Sequence, residues 1–169
     1  PPRSTLFPYT TLFRSETVSD WDVWCTYENG VRMHFMSEGV ARKSVPSYLP
    51  VFRDHGTCFI GDKGWVSVDR TWVQASPASL LSVKISPQEI NLYQSSNHYR
   101  NFVESVRTRR QAICTVESAV QSDMISHLSD IAIRTGRTIH WDPKKEIIVN
   151  DAIASRYLSR PLRSPWHLG

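Results

Sequence analysis

Apolar and polar residues alternate with period two over residues 22–27 (DVWCTY) and 31–36 (VRMHFM). Between them stands Glu28-Asn29-Gly30. Asn-Gly between alternating runs predicts a hairpin with a type I′ turn, which needs positive φ at both central residues. One face of that hairpin carries Val23, Cys25, Val31, Met33 and Phe35. Over residues 38–55 the alternation fails, and Pro46 and Pro50 interrupt any ladder, so irregular chain is expected there. A second hairpin is expected from Thr57–Ile60 and Trp65–Val68 around Gly61-Asp62-Lys63-Gly64, with further strands near Thr71–Gln74 and Leu80–Ile85.

The period then changes to that of a helix. Tyr99, Phe102, Val103 and Val106 fall at i, i+3, i+4 and i+7, with Ser96 or Asn97 placed to cap the start. A longer helix is expected from Val116 to Arg134, its stripe made of Val116, Val120, Met124, Leu128 and Ile131. Gly136 stands where a left-handed residue ends such a helix. Asp142-Pro143 predicts a turn between short strands at Thr138–Trp141 and Glu146–Val149, and Asn150 a cap for a last helix, Ala152–Leu158. Strands first and helices afterwards predict an α+β fold: an open, mainly antiparallel sheet with helices packed on one face.

Composition narrows this picture. Of the 169 residues, 40% are hydrophobic and 21% charged, the balance of a globular domain. Residues 1–15 are set aside, because Thr5–Ser15 (TLFPYTTLFRS) reads as the translation of a widely used short-read sequencing adapter. Residues 16–169 are then expected to be part of a single α+β domain whose upstream portion is missing. Two of the 20 basic residues, Arg3 and Arg14, fall in the adapter-like segment, which leaves near balance against 16 acidic ones. The small cluster Arg107, Arg109 and Arg110 ends a predicted helix and reads as a solvated terminus, so no nucleic-acid partner is expected. No stretch has the length of a membrane span, and no membrane partner is expected. Cys25, Cys58 and Cys114 form no paired spacing and read as small buried side chains.

Little catalytic chemistry is visible. No Gly-x-Gly occurs, so no dinucleotide cradle or P-loop is expected, and no nucleophile elbow is present. The six histidines have no metal-ligand spacing. Asp123 and His127 can meet across one helical turn, as a dyad or as a plain surface pair. His98 opens the first long helix beside Ser95, Ser96 and Asn97, where it can touch a ligand or satisfy the helix start. Arg160, Arg163 and Trp166 in the tail can clamp an anionic or sugar ligand, or strap the domain surface. Trp65, Trp72 and Trp141 are expected in the sheet–helix core. These readings assign no catalytic, cofactor-binding or metal residue, and leave His98, Arg160, Arg163 and Trp166 as substrate-side candidates.

In order along the chain stand Tyr27–Val31, Gly56–Arg70 (GTCFIGDKGWVSVDR), His98–Val106, Val116-Glu117, His127-Leu128, Ile131-Ala132, Gly136-Arg137, Trp141-Asp142-Pro143 and Leu158–Pro161. This series resembles the C-terminal domain of the Gfo/Idh/MocA oxidoreductases, in the bacterial subgroup common among sugar-degrading bacteria. The resemblance implies a parent enzyme in which a missing N-terminal Rossmann domain binds NAD or NADP. Its α+β partner would then line a cleft for a sugar or cyclitol and take part in homo-oligomer contacts. It also implies that the Gly-rich turn, the Glu-Lys-Pro segment and the Asp-x-x-x-His pair lie upstream of Glu16. Asp123 and His127 repeat that last spacing on a later helix and receive no catalytic role. The chain alone is therefore expected to be inactive and to bind no cofactor. The family's NAD-dependent glycosidase branch and a non-catalytic sugar- or protein-binding sheet module remain open alternatives. Both cytoplasmic and exported relatives fit, so the compartment stays open.

Overall fold

A computed structural model describes residues 18–47, 49, 52–91, 93–159 and 164–165. The alternating runs form β1 (Asp22–Thr26) and β2 (Arg32–Met36), antiparallel, with Val23 opposite Phe35 and Cys25 opposite Met33. The turn is not type I′. Tyr27 N–H donates to Val31 O and Gly30 N–H to Tyr27 O, both at 2.9 Å, and only Gly30 has positive φ, 85°. This is a three-residue loop closed by a left-handed glycine. The pleat explains it. Facing residues project to the same side, so gathering Val23, Cys25, Met33 and Phe35 on one face requires odd positions opposite odd ones. A two-residue Asn29-Gly30 loop would shift the register by one and turn the apolar set of β2 to the wrong side.

The expected irregular stretch contains α1 (Glu38–Ser44) followed by a 3-10 turn at Val45–Ser47. Ser37 caps α1 by accepting from Val40 N–H, a contribution of about 1 kcal/mol. Its hydroxyl also donates to Asp20 Oδ1 at 2.8 Å. Gly39 leaves room for that carboxylate, since a Cβ there would lie 3.1 Å from Asp20 Oδ1. Pro46 therefore follows a helix instead of excluding one.

The second hairpin extends to β3 (Thr57–Gly61) and β4 (Gly64–Val68), and β5 (Val73–Ser76) pairs with β4. Gly64 is required here. Its φ is 130°, and a Cβ would fall 1.9 Å from Ser76 O. The strand expected at Leu80–Ile85 is replaced by a 3-10 turn, Ala78–Ser82, in which Leu80 N–H donates to Pro77 O. Pro77 has no N–H to continue the β5 ladder, so the chain turns away at that point.

The helical half follows the expected periods. α2 spans His98–Thr108, and its cap is Asn97, which accepts from Arg100 N–H. α3 spans Val116–Thr135, capped by Thr115 and ended by left-handed Gly136, whose N–H returns to Ala132 O. The strands shrink to β6 (Trp141–Asp142) and β7 (Ile147–Ile148). The last helix, α4 (Ala152–Ser155), continues as a 3-10 turn at Arg156–Leu158. Its cap is Asp151, not Asn150. The Asp151 side chain accepts from Ile153 and Ala154 N–H, while Asn150 takes a left-handed φ of 56° that brings the chain into the helix.

The fold is α+β, with antiparallel ladders of two, three and two strands among the described residues. Ile131, Ile148 and Ala154 form the buried cluster, flanked by Leu128, Ile139 and Trp141. Trp65 and Trp72, expected in the core, are half-buried like Trp141. On the other side of α3, the Cys25 thiol lies against Ser129 and so brings the β1–β2 hairpin to the helix.

Candidate functional site

The polar side of the β1–β2 hairpin holds a close side-chain constellation. Trp24 sits directly opposite His34 in the ladder, and their rings stack at 4.1 Å and 14°. Arg32, two residues before His34 and so on the same face, places its guanidinium carbon 4.5 Å from the Trp24 ring. His34 Nε2 meets Asp22 Oδ1 at 2.5 Å, and its Nδ1 is buried without a hydrogen-bond partner. The row Asp22, Trp24, Arg32, His34 is thus a stacked aromatic and cationic cluster with a carboxylate-oriented imidazole. Its signal was present at the even positions of both strands, beside the odd apolar set that the hairpin pattern emphasises.

A second group is centred on Asp69, whose side chain is inaccessible to solvent. Asp69 accepts from Thr71 N–H at 2.7 Å and from Arg53 Nε at 2.8 Å. The Thr71 backbone N–H first, and then Arg53, hold its carboxyl down at about 2, against the opposing effect of burial. Arg53 lies over Trp72 at 4.9 Å, and with Arg42, Phe52, Asp54 and His55 it walls a shallow depression of about 410 Å³. The basic groups there already have carboxylate partners: Arg42 pairs with Glu38, and the His55 ring Nδ1 meets Asp54 Oδ1 at 2.6 Å. The His55 ring holds the Asp54 carboxyl below its usual range.

The candidates read from the sequence are not gathered into a site. His98 is the first residue of α2, exposed, with its ring centroid 5.2 Å from that of Tyr99 in an edge-on arrangement. Arg160, Arg163 and Trp166 lie outside the described residues. Asp123 and His127 meet at 3.0 Å, but both side chains are about 70% exposed, as expected of a surface pair. Among the described residues, no group of three or more His, Cys, Asp and Glu side chains is placed to hold a metal ion. Cys25 and Cys58 are half-buried, and burial pushes both thiols up, whereas Cys114 is exposed, against expectation.

A nicotinamide dinucleotide needs parallel strands feeding glycine-rich turns at helix N-termini. Every strand pair among the described residues is antiparallel, and the described residues do not fit that group. The family model described as "Oxidoreductase family, C-terminal alpha/beta domain" matches residues 83–168. That range takes in α2, α3, the buried cluster and α4, and leaves β1–β5 outside it. No curated protein and no solved structure matches the chain.

Proposed function

The chain belongs to this oxidoreductase family as its C-terminal α/β domain, and on that premise we propose that it is the substrate-side half of an NAD(P)-dependent enzyme. The reaction is hydride transfer between the nicotinamide and a hydroxyl-bearing carbon of a sugar or cyclitol. Enzymes of this family are generally NAD(P)-dependent, and the cofactor supplies the hydride chemistry while protein groups bind and orient. In this reading the aromatic and polar row on the β1–β2 hairpin, with His98 and the tail residues Arg160, Arg163 and Trp166, contributes to the substrate side. The cofactor is held by a separate Rossmann domain.

One observation carries the division of labour. The chain has regular helices with intact caps, yet large apolar faces are left uncovered, among them Tyr99 at 80% and Phe102 at 65% exposed. Faces of that kind mark surfaces that another domain or subunit covers. On this reading the chain alone neither binds nucleotide nor turns over sugar. Isothermal titration of NAD and of NADP into the purified chain is expected to give no heat of binding. Micromolar binding of either would overturn the reading, as would NAD(P)H production by this chain alone from any polyol. Recovering the reading frame upstream of Glu16 and assaying the complete protein against sugars and cyclitols tests the reaction class itself.

A further inference from the structure

Among the described residues Arg32 lies over Trp24, Arg42 over Phe52 and Arg53 over Trp72. Two of these stacked arginines also hold a carboxylate, Arg42 that of Glu38 and Arg53 that of Asp69. Arg32 holds none, and no ion pair among the described residues includes it. It is nevertheless the outer member of an anchored chain of contacts. Asp22 meets the His34 ring, His34 stacks on Trp24, and Trp24 carries Arg32. At the inner end the His34 side chain is only 15% exposed, whereas Arg32 at the outer end is open to solvent. Thr26, directly opposite Arg32 in the ladder, adds a hydroxyl to the same face and is also exposed. Contact with a ring leaves N–H donors of a guanidinium free, and their planar fork matches a carboxylate. Holding the group over an indole beforehand reduces the entropy lost when an anion arrives.

We propose that Arg32 and Thr26 form a carboxylate-binding site at the loop end of the β1–β2 hairpin, so that the substrate is an acidic sugar, a uronate or an aldonate. That the rest of the ligand is a sugar rests on the function proposed above; the carboxylate site rests on the hairpin alone. The surroundings suit a singly charged anion. Arg32 is the one arginine or lysine between Asp22 and Met36, and the loop beside it holds an acid, Glu28. Asp22 stands two rows away on the same face and is engaged by His34. One guanidinium in that setting balances one carboxylate, whereas a phosphate dianion would bring a second charge with no cation to meet it.

The test titrates the chain with glucuronate, glucose and glucose phosphate while proton–nitrogen NMR follows the Trp24 indole and the Arg32 side-chain N–H. Glucuronate should shift both signals saturably and bind at least about tenfold more tightly than glucose, the gain expected of hydrogen bonds to a charged group. Arg32→Gln, at an exposed position, should abolish that difference and leave signals remote from the hairpin unmoved, which reports an intact fold. Arg32→Lys keeps the charge without the fork and should lose most of the difference. Equal binding of glucuronate and glucose would overturn the proposal. So would tighter binding of glucose phosphate, or an unaltered preference in Arg32→Gln. A preference for glucuronate, joined to a complete protein without dehydrogenase activity, would support the site and remove the enzymatic reading. Dehydrogenase activity without that preference would do the reverse.

Discussion

The two ends of α3 carry the same apolar spacing and have opposite fates. At the C-terminal end, Ile131 is buried against Ile148 and Ala154, and Asp151 and Gly136 tie the neighbouring helix ends to their own backbones. At the N-terminal end, Val116 and Val120 are exposed, and the α2 stripe is bare as well. Nothing in the local pattern separates the two. What differs is whether this chain supplies a covering element: β7 and α4 cover one end, and no described element covers the other. Hydrophobic periodicity therefore reports which face of a helix is to be buried, and is silent on what buries it.

The largest effect should come from the covered end. Ile131→Ala opens a cavity at a site only 3% exposed, and a loss of about 2–5 kcal/mol is expected in urea unfolding. Phe102→Ser on the bare face should change stability by less than about 0.5 kcal/mol while improving solubility. Equal losses at the two sites would erase the contrast drawn here.

The β3–β5 sheet gives the next effect. Gly64→Ala requires a side chain at φ 130° and against Ser76 O, and about 1–3 kcal/mol of destabilisation is expected from the backbone conformation alone. Gly30→Ala meets no atom within 4 Å and should cost less. Thermal melts of the two variants rank them. Asp151→Ala removes the cap that leads α4 into the buried cluster, with an expected loss of about 1 kcal/mol by the same measurement.

The last test is of acid stability. The folded-state pKa of Asp69 is about 2 against an ordinary 3.8, so its contribution to stability is complete above the ordinary value and fades as pH falls toward 2. Asp69→Asn should flatten the fall in stability between pH 4 and 2 relative to the parent chain. An unchanged acid limb would show that the Arg53–Asp69–Thr71 group does not anchor the loop after β4.

Much of the fold was legible because its signals are local. The caps at Asn97 and Gly136 and the extents of α2 and α3 follow from side-chain spacing and φ preference within a few residues. The α+β class follows from the order of the two periods. Misreadings came where a distant group intervened. α1 depends on Asp20 reaching Ser37 past Gly39, a contact across the hairpin that no window of sequence displays. The strand expected at Leu80–Ile85 had no neighbouring ladder to join once Pro77 ended β5. Even the loop at Asn29-Gly30 was decidable in principle, because the odd-numbered apolar set fixes the register, but the dipeptide's own preference pointed elsewhere. The hairpin row of Asp22, Trp24, Arg32 and His34 needed that register before its members could be seen as neighbours.

By itself the sequence determined where α2 and α3 run, which of their side chains share a face, and that no Gly-x-Gly of a dinucleotide cradle occurs in it. Only the tertiary structure decided that Asn101 is buried while Tyr99 and Phe102 face water, that His98 stands apart from any cluster, and that Arg53 locks onto Asp69. The physical reason is one of range. Backbone preference and amphipathic period act over a turn or a strand pair, whereas burial and ion pairing depend on which remote surface arrives to exclude water.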